Sequence, residues 1–439
     1  MKSHFLIGAA SSGSGKTTLT LGLLRALWNR GMQVQPFKCG PDYIDTRYHY
    51  EAAGKSSVNL DLFMMSKEYI RSLYSKYSTK ADVTVTEGVM GLFDGYDGML
   101  GSGADIARLL DIPVILVVNA KSSAYSVAPL IYGFKHFNKT IKIAGVIFNF
   151  VASENHYSFL KQAAKDAGIE SLGYIPKQTD MEIPSRHLGL TMDNTFPFDL
   201  FTNKIAGIIE KHIDIDRLLE LTRFMNINRD VLSKSKTKLP HIGQIAVARD
   251  EAFNFVYEEN IQYLHKLGKV VFFSPLHDPR LPDASFIYLP GGYPELYSEK
   301  LSGNTAMHKA IRQYIEQEGK LLAECGGMMY LCDSITDKDG NTFPMAGILN
   351  QCATMEPMKL RLGYRTLYYS EYEMKGHEFH YSSVIPQKQP LSSVAKAFTA
   401  KGVTAETPLY RYKNVLAGYT HLYWADETTN DWFIHYLTS

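Results

Sequence analysis

The sequence predicts an α/β protein with two domains, each built around a parallel sheet. Apolar runs rich in Val and Ile alternate with longer helical patterns, which is typical of parallel strands joined by crossover helices. The chain of 439 residues is too long for one typical core. A polar stretch at 226–240, NINRDVLSKSKTKLP, separates two such series of strands. We therefore predict one domain at 1–235 and a second at 240–439.

The strands and the first helix follow from this periodicity. The predicted strands are HFLIGA, MQVQPFK, DVTVTE, IPVILVVN and IKIAGVIFNF in the first domain, and HIGQIAVAR, KVVFFSP, ASFIYLP and GKLLAE in the second. Leu19, Leu23 and Leu27 recur at helical spacing after the first strand, which predicts an amphipathic helix. Gly31 is the predicted end of this helix.

The composition excludes several classes of protein. The formal net charge of +1 leaves no basic excess for a nucleic-acid backbone, so we expect no nucleic-acid partner. The four cysteines lack the spacing of a zinc site and are too few for a disulfide scaffold. The apolar start is too short and too rich in Gly and Ser for a signal peptide, and no run approaches membrane-spanning length. We expect a cytoplasmic protein with no membrane partner.

A phosphate-binding loop is predicted at residues 10–18, ASSGSGKTT. Ala10 stands where the pattern G-x-x-x-x-G-K-[ST] has its first glycine, so the loop is a variant. The alternative is a glycine-rich turn with an accidental Lys-Thr pair, but the strand before the loop and the helix after it favour a nucleotide site. The predicted nucleotide-binding residues are Gly13, Ser14, Gly15, Lys16, Thr17 and Thr18.

Acidic residues follow two predicted strands of the same domain. Glu87 and Asp94 follow DVTVTE, and Asp42 and Asp45 follow MQVQPFK. The carboxyl ends of parallel strands meet at one edge of a sheet, so this cluster could serve Mg²⁺ and the phosphates together with Thr17. The alternative, that each Asp caps a turn or helix, stays open for any one of them taken alone.

The second domain carries a different chemistry. In GKLLAECGGMMYL, Cys325 ends an apolar strand and precedes two glycines and a helix, which predicts a raised nucleophile whose thiolate is favoured by the helix N-terminus. Gly291 and Gly292 follow another strand and could form an oxyanion hole. His421 is the candidate base. The alternative is that Cys325 is a small buried hydrophobe.

A larger set of motifs carries a resemblance that runs from about residue 4 to about residue 425. They are PFKCGPDYIDTRYH, EGVMGLFDG, IPSRHLGL at 183–190, VARDEAFNFVYEEN, FFSPLHDPRLP, LPGGYPELY, AECGGMMYL, LGYR, GHEFHYS and GYTHLYW. In this order they resemble the cobyrinic acid a,c-diamide synthase family. The resemblance implies a P-loop domain similar to dethiobiotin synthetase, followed by a flavodoxin-like class I glutaminase domain. The family loop also lacks the first glycine, which accounts for Ala10.

The resemblance implies ATP, Mg²⁺, glutamine and a corrinoid as cofactors and substrates. In that family ATP activates the a and c carboxylates of cobyrinate as acyl phosphates, and ammonia from glutamine attacks them during cobalamin biosynthesis. The implied roles are Asp45 and Asp94 in catalysis; Thr17, Glu87 and Asp42 on the metal; Asp42, Tyr43 and Ile44 on the corrinoid; and Cys325 and His421 in glutamine hydrolysis. Tyr423 stands where class I glutaminases usually have a Glu, so the group that orients His421 is unassigned.

Other proteins remain as alternatives. Partition-type ATPases share a deviant loop but carry a signature Lys where this chain has Ser11, and nucleotide-sensing modules need no Cys and His pair. Cobyric acid synthase is a nearer alternative, although GPDYID and EGVMGLFDG are more similar to the a,c-diamide branch. The motifs do not separate cobyrinate from hydrogenobyrinate or nickel-sirohydrochlorin as the substrate. They also leave open whether the chain forms a homodimer.

Overall fold

The structure is a computed structural model that describes residues 2–177, 197–224, 239–387 and 391–439. The chain divides into two units, Met1–Lys234 and Ser235–Ser439. Most of the polar stretch at 226–240 and the motif IPSRHLGL at 183–190 lie outside the described residues. None of the helices in the described ranges is long and apolar enough to cross a membrane.

The first unit alternates strands with helices. Its strands are β1 (Lys2–Ala9), β2 (Val34–Cys39), β3 (Val58–Leu60), β4 (Val83–Glu87), β5 (Val114–Asn119), β6 (Ile143–Val151), β7 (Ser171–Pro176) and β8 (Arg223–Phe224). Its helices are α1 (Lys16–Asn29), α2 (Ile44–Ala53), α3 (Lys67–Ser78), α4 (Gly103–Leu110), α5 (Val127–Phe137), α6 (Glu154–Asp166), α7 (Phe198–His212) and α8 (Ile215–Leu221).

These strands form an eight-stranded sheet in the order β3-β2-β4-β1-β5-β6-β7, with β8 antiparallel against β1. The strands along that order are parallel. The predicted strands of the first half are confirmed as β1, β2, β4, β5 and β6, and their burial explains why they read as apolar runs. Because β2, β4 and β1 are neighbours, the loops that follow them lie at one edge of the sheet.

The second unit has a central sheet and two smaller ones. Its strands are β9 (Gly243–Ala248), β10 (Gly268–Phe273), β11 (Phe286–Leu289), β12 (Lys320–Glu324), β13 (Ser334–Thr336), β14 (Thr342–Pro344), β15 (Gln351–Thr354), β16 (Arg361–Tyr369), β17 (Tyr372–His380), β18 (Ser383–Pro386), β19 (Ala395–Thr399), β20 (Thr404–Ala405), β21 (Leu409–Tyr412), β22 (Val415–Gly418) and β23 (His421–Leu422). Its helices are α9 (Glu258–Leu267), α10 (Ser298–Gly303), α11 (Thr305–Glu316), α12 (Gly326–Leu331) and α13 (Asp431–Thr438).

The central sheet is six-stranded in the order β10-β9-β11-β12-β22-β21, and only β21 runs antiparallel to its neighbour within it. The order of its five parallel strands is that of a flavodoxin-like sheet, which confirms the predicted fold class. The predicted strands of the second half are confirmed as β9 to β12. The four-stranded sheet β14-β13-β15-β18 and the five-stranded sheet β20-β19-β16-β17-β23 were not predicted.

Helix α1 carries the phosphate loop at its start and packs against α7. The prediction of this helix is confirmed, with Leu19, Leu23 and Leu27 fully buried. A Cβ added at Gly22 would lie 2.4 Å from Ile205 Cγ2 on α7, so the two helices approach closely at a glycine. This contact packs the middle of α1 against α7.

We expect two glycine substitutions in these helices to have opposite effects on stability. Gly22→Ala overpacks the contact with Ile205 and should lower the free energy of unfolding by about 1–3 kcal/mol. Gly207→Ala on α7 meets no atom within 4 Å and should raise it by about 0.5–1 kcal/mol, because alanine favours helix. Thermal unfolding of both variants checks the pair. Equal unfolding temperatures would contradict a close helix contact at Gly22.

Candidate active site

The phosphate loop joins β1 to α1 and has the shape that its glycines permit. Gly13 and Gly15 have φ values of +74° and +87°, a region that favours glycine. A Cβ at Gly15 would lie 2.0 Å from Nδ2 of Asn149, which donates a hydrogen bond to the Ser14 carbonyl at 3.0 Å. Asn149 at the end of β6 therefore supports the loop. The sequence analysis did not single out this residue.

The start of α1 presents its backbone N–H groups toward the loop. The N-cap residue, Gly15, has no side chain that could cap the helix. The backbone N–H groups of the first turn are therefore available to an anion. Thr18 lies half-buried in this turn. The Lys16 ammonium donates to the carbonyls of Met90 and Ser11. Burial lowers the pKa of Lys16 below its ordinary value, although nearby carboxylates act in the opposite direction.

A buried ion cluster lies beside the loop. The Lys38 ammonium is 2.6 Å from Oδ2 of Asp45 and 2.9 Å from Oε1 of Glu87. The Thr17 hydroxyl donates to the same Glu87 oxygen at 2.7 Å, and Nε2 of His49 lies 2.7 Å from the other. Lys38, Asp45, His49 and Glu87 are all nearly inaccessible to solvent. The structure thus brings Thr17, Glu87 and Asp45 together, and adds Lys38 and His49, which sequence reasoning missed.

The charges in this cluster stabilise one another. Burial alone would lower the pKa of Lys38, but Asp45 and Glu87 raise it well above its ordinary value. Burial alone would also raise the pKa of Glu87, but Lys38 and His49 hold it well below its usual range. The lysine is therefore charged and the Glu87 carboxylate is ionised in the folded protein.

Asp42 shapes the start of α2. Its Oδ1 accepts hydrogen bonds from the backbone N–H groups of Ile44 and Asp45 at 2.9 and 2.8 Å. Asn59 donates to the Asp42 carbonyl at 3.0 Å and fixes the same turn. Tyr43 and Ile44 are half-buried at this helix start. These are the contacts that the turn-capping alternative describes, and the role of Asp42 on the metal stays a prediction.

Asp94 lies in the turn after β4. Its Oδ2 accepts a hydrogen bond from the Gly91 N–H at 3.0 Å. A Cβ at Gly91 would approach the Ala10 carbonyl to 3.0 Å, so this turn packs against the phosphate loop. Asp94 is also among the carboxylates whose charge acts on Lys16. The residue is therefore near the phosphate site, in a role that shapes the backbone.

The candidate ligands for Mg²⁺ are oxygen atoms beside the phosphate loop. Among the described residues, no group of three or more His, Cys, Asp or Glu side chains could hold a metal ion. Mg²⁺ at phosphate sites usually takes one or two protein oxygens and fills its other positions with phosphate and water. The Thr17 hydroxyl and the Glu87 carboxylate, 2.7 Å apart at the loop, fit that requirement.

In the second unit, Cys325 follows β12 in a strained conformation. Its φ and ψ are +46° and −105°, and its N–H donates to the Gly418 carbonyl at 2.7 Å. Burial, followed by the nearby charge of Glu295, raises the pKa of the thiol well above its ordinary value. The prediction of a thiolate favoured by the helix N-terminus is therefore wrong for the free protein. Helix α12 has six residues, and its weak field does not outweigh burial.

The two glycines after β11 lie between the cysteine and the histidine. A Cβ at Gly291 would lie 2.1 Å from Cε1 of His421, so the imidazole packs directly on this backbone. A Cβ at Gly326, next to Cys325, would lie 3.0 Å from the Gly292 backbone nitrogen. The structure therefore brings Gly291 and Gly292 together with Cys325 and His421.

A carboxylate that the sequence analysis missed lies beside the histidine. Oε2 of Glu324, the residue before Cys325, is 3.8 Å from Nδ1 of His421. Tyr423, which occupies the place of the usual class I Glu, packs its ring against Tyr257 at 5.3 Å. A Glu that ends the apolar strand KLLAE is a signal that could have identified Glu324.

Two family models match the chain. One is described as a CobQ/CobB/MinD/ParA nucleotide binding domain and matches residues 5–190. The other is described as a CobB/CobQ-like glutamine amidotransferase domain and matches residues 244–429. The first match covers the phosphate loop and the ion cluster, and the second covers Cys325 and His421.

Curated relatives match nearly the whole chain. The cobyrinate a,c-diamide synthase of Caldanaerobacter subterraneus subsp. tengcongensis is 41% identical over 435 residues, covering 95% of this chain and 94% of the relative. That of Salmonella typhimurium is 39% identical, covering 96% and 95%. The hydrogenobyrinate a,c-diamide synthase of Brucella anthropi is 42% identical over 395 residues, covering 87% and 89%. With these identities over most of its length, the chain belongs to the cobyrinate a,c-diamide synthase family.

Proposed function

We propose that the protein amidates the a and c side-chain carboxylates of cobyrinate, using ATP and glutamine. One observation carries the proposal: a phosphate loop whose Thr17 hydroxyl contacts Glu87, and a Cys325 and His421 pair that meets at a glycine backbone, occur in one chain. The names of the relatives from Caldanaerobacter and Salmonella support this reaction. The name of the Brucella relative keeps hydrogenobyrinate as a second candidate substrate.

The first unit supplies the activation step. A carboxylate is a poor electrophile, so transfer of the γ-phosphoryl group of ATP to it gives an acyl phosphate and ADP. Ammonia then attacks the acyl carbon, inorganic phosphate leaves, and the amide forms. Lys16 and the N-terminus of α1 hold the phosphates and stabilise the charge that develops during transfer. Mg²⁺ would be held by Thr17 and Glu87, and it supplies charge neutralisation at the phosphates.

The acidic residues prepare the same site for its substrate. Asp45 balances the charge of Lys38 beside Glu87, and so keeps a cation next to the phosphate loop. Asp42 orders the start of α2, and the proposal assigns Tyr43 and Ile44 of this turn to contact with the corrinoid. Asp94 holds the turn that packs on the phosphate loop.

The second unit supplies ammonia. His421 takes the proton of the Cys325 thiol, and the sulfur attacks the side-chain amide carbon of glutamine. The backbone N–H groups of Gly291 and Gly292 stabilise the oxyanion that forms. His421 returns a proton to the departing ammonia, which leaves a glutamyl thioester. Water then hydrolyses the thioester, releases glutamate and restores the thiol.

The cytoplasm remains the predicted location, because all four cysteines are free and the reaction consumes ATP. Whether the chain forms a homodimer is decided by light scattering of the purified protein. Competition between cobyrinate and hydrogenobyrinate in one assay decides the preferred substrate.

We expect Cys325→Ala to abolish amidation with glutamine and to preserve amidation with ammonium salts, because only the ammonia supply is lost. Diamide formation is measured with each nitrogen source. Cys352→Ala, which removes another free cysteine of the same unit, is the matched control and should retain both activities. Loss of both activities in Cys325→Ala would contradict the assignment of this cysteine as the glutaminase nucleophile.

We expect Lys16→Ala to lower amidation by about a hundredfold or more with either nitrogen source, because a cation on the phosphates is lost. Steady-state rates of diamide formation at saturating ATP measure the effect. Lys161→Ala, which removes an exposed lysine of α6, should leave the rate unchanged. Full activity of Lys16→Ala would mean that the loop is only a turn.

We expect Asp45→Asn and Asp94→Asn to lower diamide formation by on the order of tenfold or more, and glutamate release much less, because both shape the phosphate site. The two products are measured separately in each variant. Asp166→Asn, on the exposed face of α6, is the control. Normal diamide synthesis in both variants would mean that Asp45 and Asp94 only stabilise turns and helix starts and have no role in the reaction. Accumulation of the monoamide would assign them mainly to the second amidation.

A further inference from the structure

The imidazole of His421 is confined on several sides within the second unit. Its Cε1 edge packs on Gly291, where even a methyl group would collide. The Phe255 ring lies 6.2 Å away between ring centroids and is tilted by 55°. Strand β23, which carries the histidine, pairs with β17, so its backbone is fixed as well. The orientation of the ring then depends on what faces Nδ1.

The Glu324 carboxylate lies at ion-pair distance from Nδ1 of His421. Oε2 of Glu324 lies 3.8 Å from Nδ1, and both side chains are almost wholly buried, with 2% and 1% of their side-chain area exposed. This separation is longer than a hydrogen bond, but catalytic hydrogen bonds often tighten only when substrate is bound. In the described part of the chain, His421 is the one basic side chain recorded within 4 Å of this carboxylate.

The carboxylate itself is held in place from two sides. The Tyr288 hydroxyl donates to Oε2 at 2.7 Å, and the Leu422 backbone N–H donates to Oε1 at 3.0 Å. Leu422 follows His421 directly, so Glu324 fixes the backbone next to the histidine and faces the Nδ1 edge of its ring. The carboxylate thereby joins β11, β12 and β23 at the position of the nucleophile.

The other titratable side chains around this centre are Cys325, Glu295, His377, Glu378 and His380. Burial raises the pKa of Glu295 to about 7, and its charge acts on Cys325. Glu378 is neutralised by Arg365 at 2.9 Å and accepts a hydrogen bond from Thr420 at 3.1 Å. Burial lowers the pKa of His380 to about 4, so it is neutral at working pH. Among the carboxylates in the described residues, Glu324 is the one that lies at ion-pair distance, 3.8 Å, from His421.

We propose that Glu324, held by Tyr288, is the positioning residue of the glutaminase centre and replaces the Glu that class I enzymes carry after their histidine. By accepting a hydrogen bond from Nδ1–H it keeps Nε2 available for the Cys325 thiol, and it stabilises the imidazolium that forms when the thiol is deprotonated. The proposal rests on the glutaminase function proposed above. The residue acts through His421 and does not touch glutamine.

The test is the glutaminase activity of Glu324→Gln in the full-length enzyme, measured as kcat, KM and the pH dependence of kcat/KM. We expect kcat to fall about a hundredfold or more, with KM for glutamine unchanged within about threefold. The acid limb of the profile should move to lower pH, because an imidazole without a facing carboxylate stays neutral in more acidic solution. A kcat within about threefold of the parent, or a lower kcat with an unmoved acid limb, would overturn the proposal.

Amidation with ammonium salts serves as the folding control for Glu324→Gln and should match the parent enzyme. If that activity is also lost, the proposal is tested with Tyr288→Phe. This variant removes one hydrogen bond to the Glu324 carboxylate and leaves the carboxylate in place. Its matched control is Tyr436→Phe, which loses buried hydroxyl contacts to the Leu321 and Asn414 carbonyls in the same unit. We expect a lower kcat only in Tyr288→Phe. Equal kcat in the two variants would overturn the proposal.

These results separate the positioning role from the glutaminase itself. Glutamate release that survives Cys325→Ala would remove the proposed function and this inference with it. Glutamate release that is lost in Cys325→Ala but normal in Glu324→Gln would remove only the role of Glu324.

Discussion

The ammonium of Lys38, buried between two carboxylates, is the interaction on which the first unit depends. It links β2 to the end of β4 through Glu87 and to α2 through Asp45. Glu87 in turn accepts the Thr17 hydroxyl at the start of α1. Removing one partner of such a buried group leaves an uncompensated charge, which typically costs about 3–5 kcal/mol. The phosphate loop and the turn at the start of α2 are therefore coupled through charge.

The second unit also has a buried ionisable group beside its functional residues, but this group is a carboxylate and not an ammonium. There the buried charge is the carboxylate of Glu324, which is held by a tyrosine hydroxyl and a backbone N–H. In both units the functional side chains come from the carboxyl ends of adjacent parallel strands. Only such an edge lets residues far apart in the chain meet without breaking the sheet. In both units the proposed reaction thus takes place at the carboxyl edge of a parallel sheet.

The parts of this arrangement that were predictable are those encoded next to each other in the chain. The phosphate loop and the segment around Cys325 each lie directly between an apolar strand and a helix, so their context is local. The contacts of Lys38, His49 and Asn149 were not predictable, because their partners lie in distant segments. A lysine at the end of a buried strand is rare unless an acidic partner neutralises its charge. That rarity is the only sign in the sequence that Lys38 has such a partner.

The two small sheets of the second unit were not predicted for a different reason. Strand β16 is mostly exposed or half-buried and rich in tyrosine and arginine, so its sequence lacks a clear alternation of apolar and polar residues. The thiolate at Cys325 was predicted wrongly because desolvation cannot be judged from a motif. Burial depends on what covers the nucleophile, and Glu295, which adds to the effect, lies 30 residues earlier in the chain.

The backbone at Cys325 has an evolutionary consequence. A residue with a side chain at φ +46° and ψ −105° costs about 1–3 kcal/mol, whereas glycine adopts such angles with little strain. Stability and chemistry therefore favour different amino acids at this position. A lineage supplied with free ammonia would be released from the need for the thiol, and loss of the cysteine to glycine would make its fold more stable. The proposed glutaminase function would thus keep a cysteine at this position against the conformational preference of the chain.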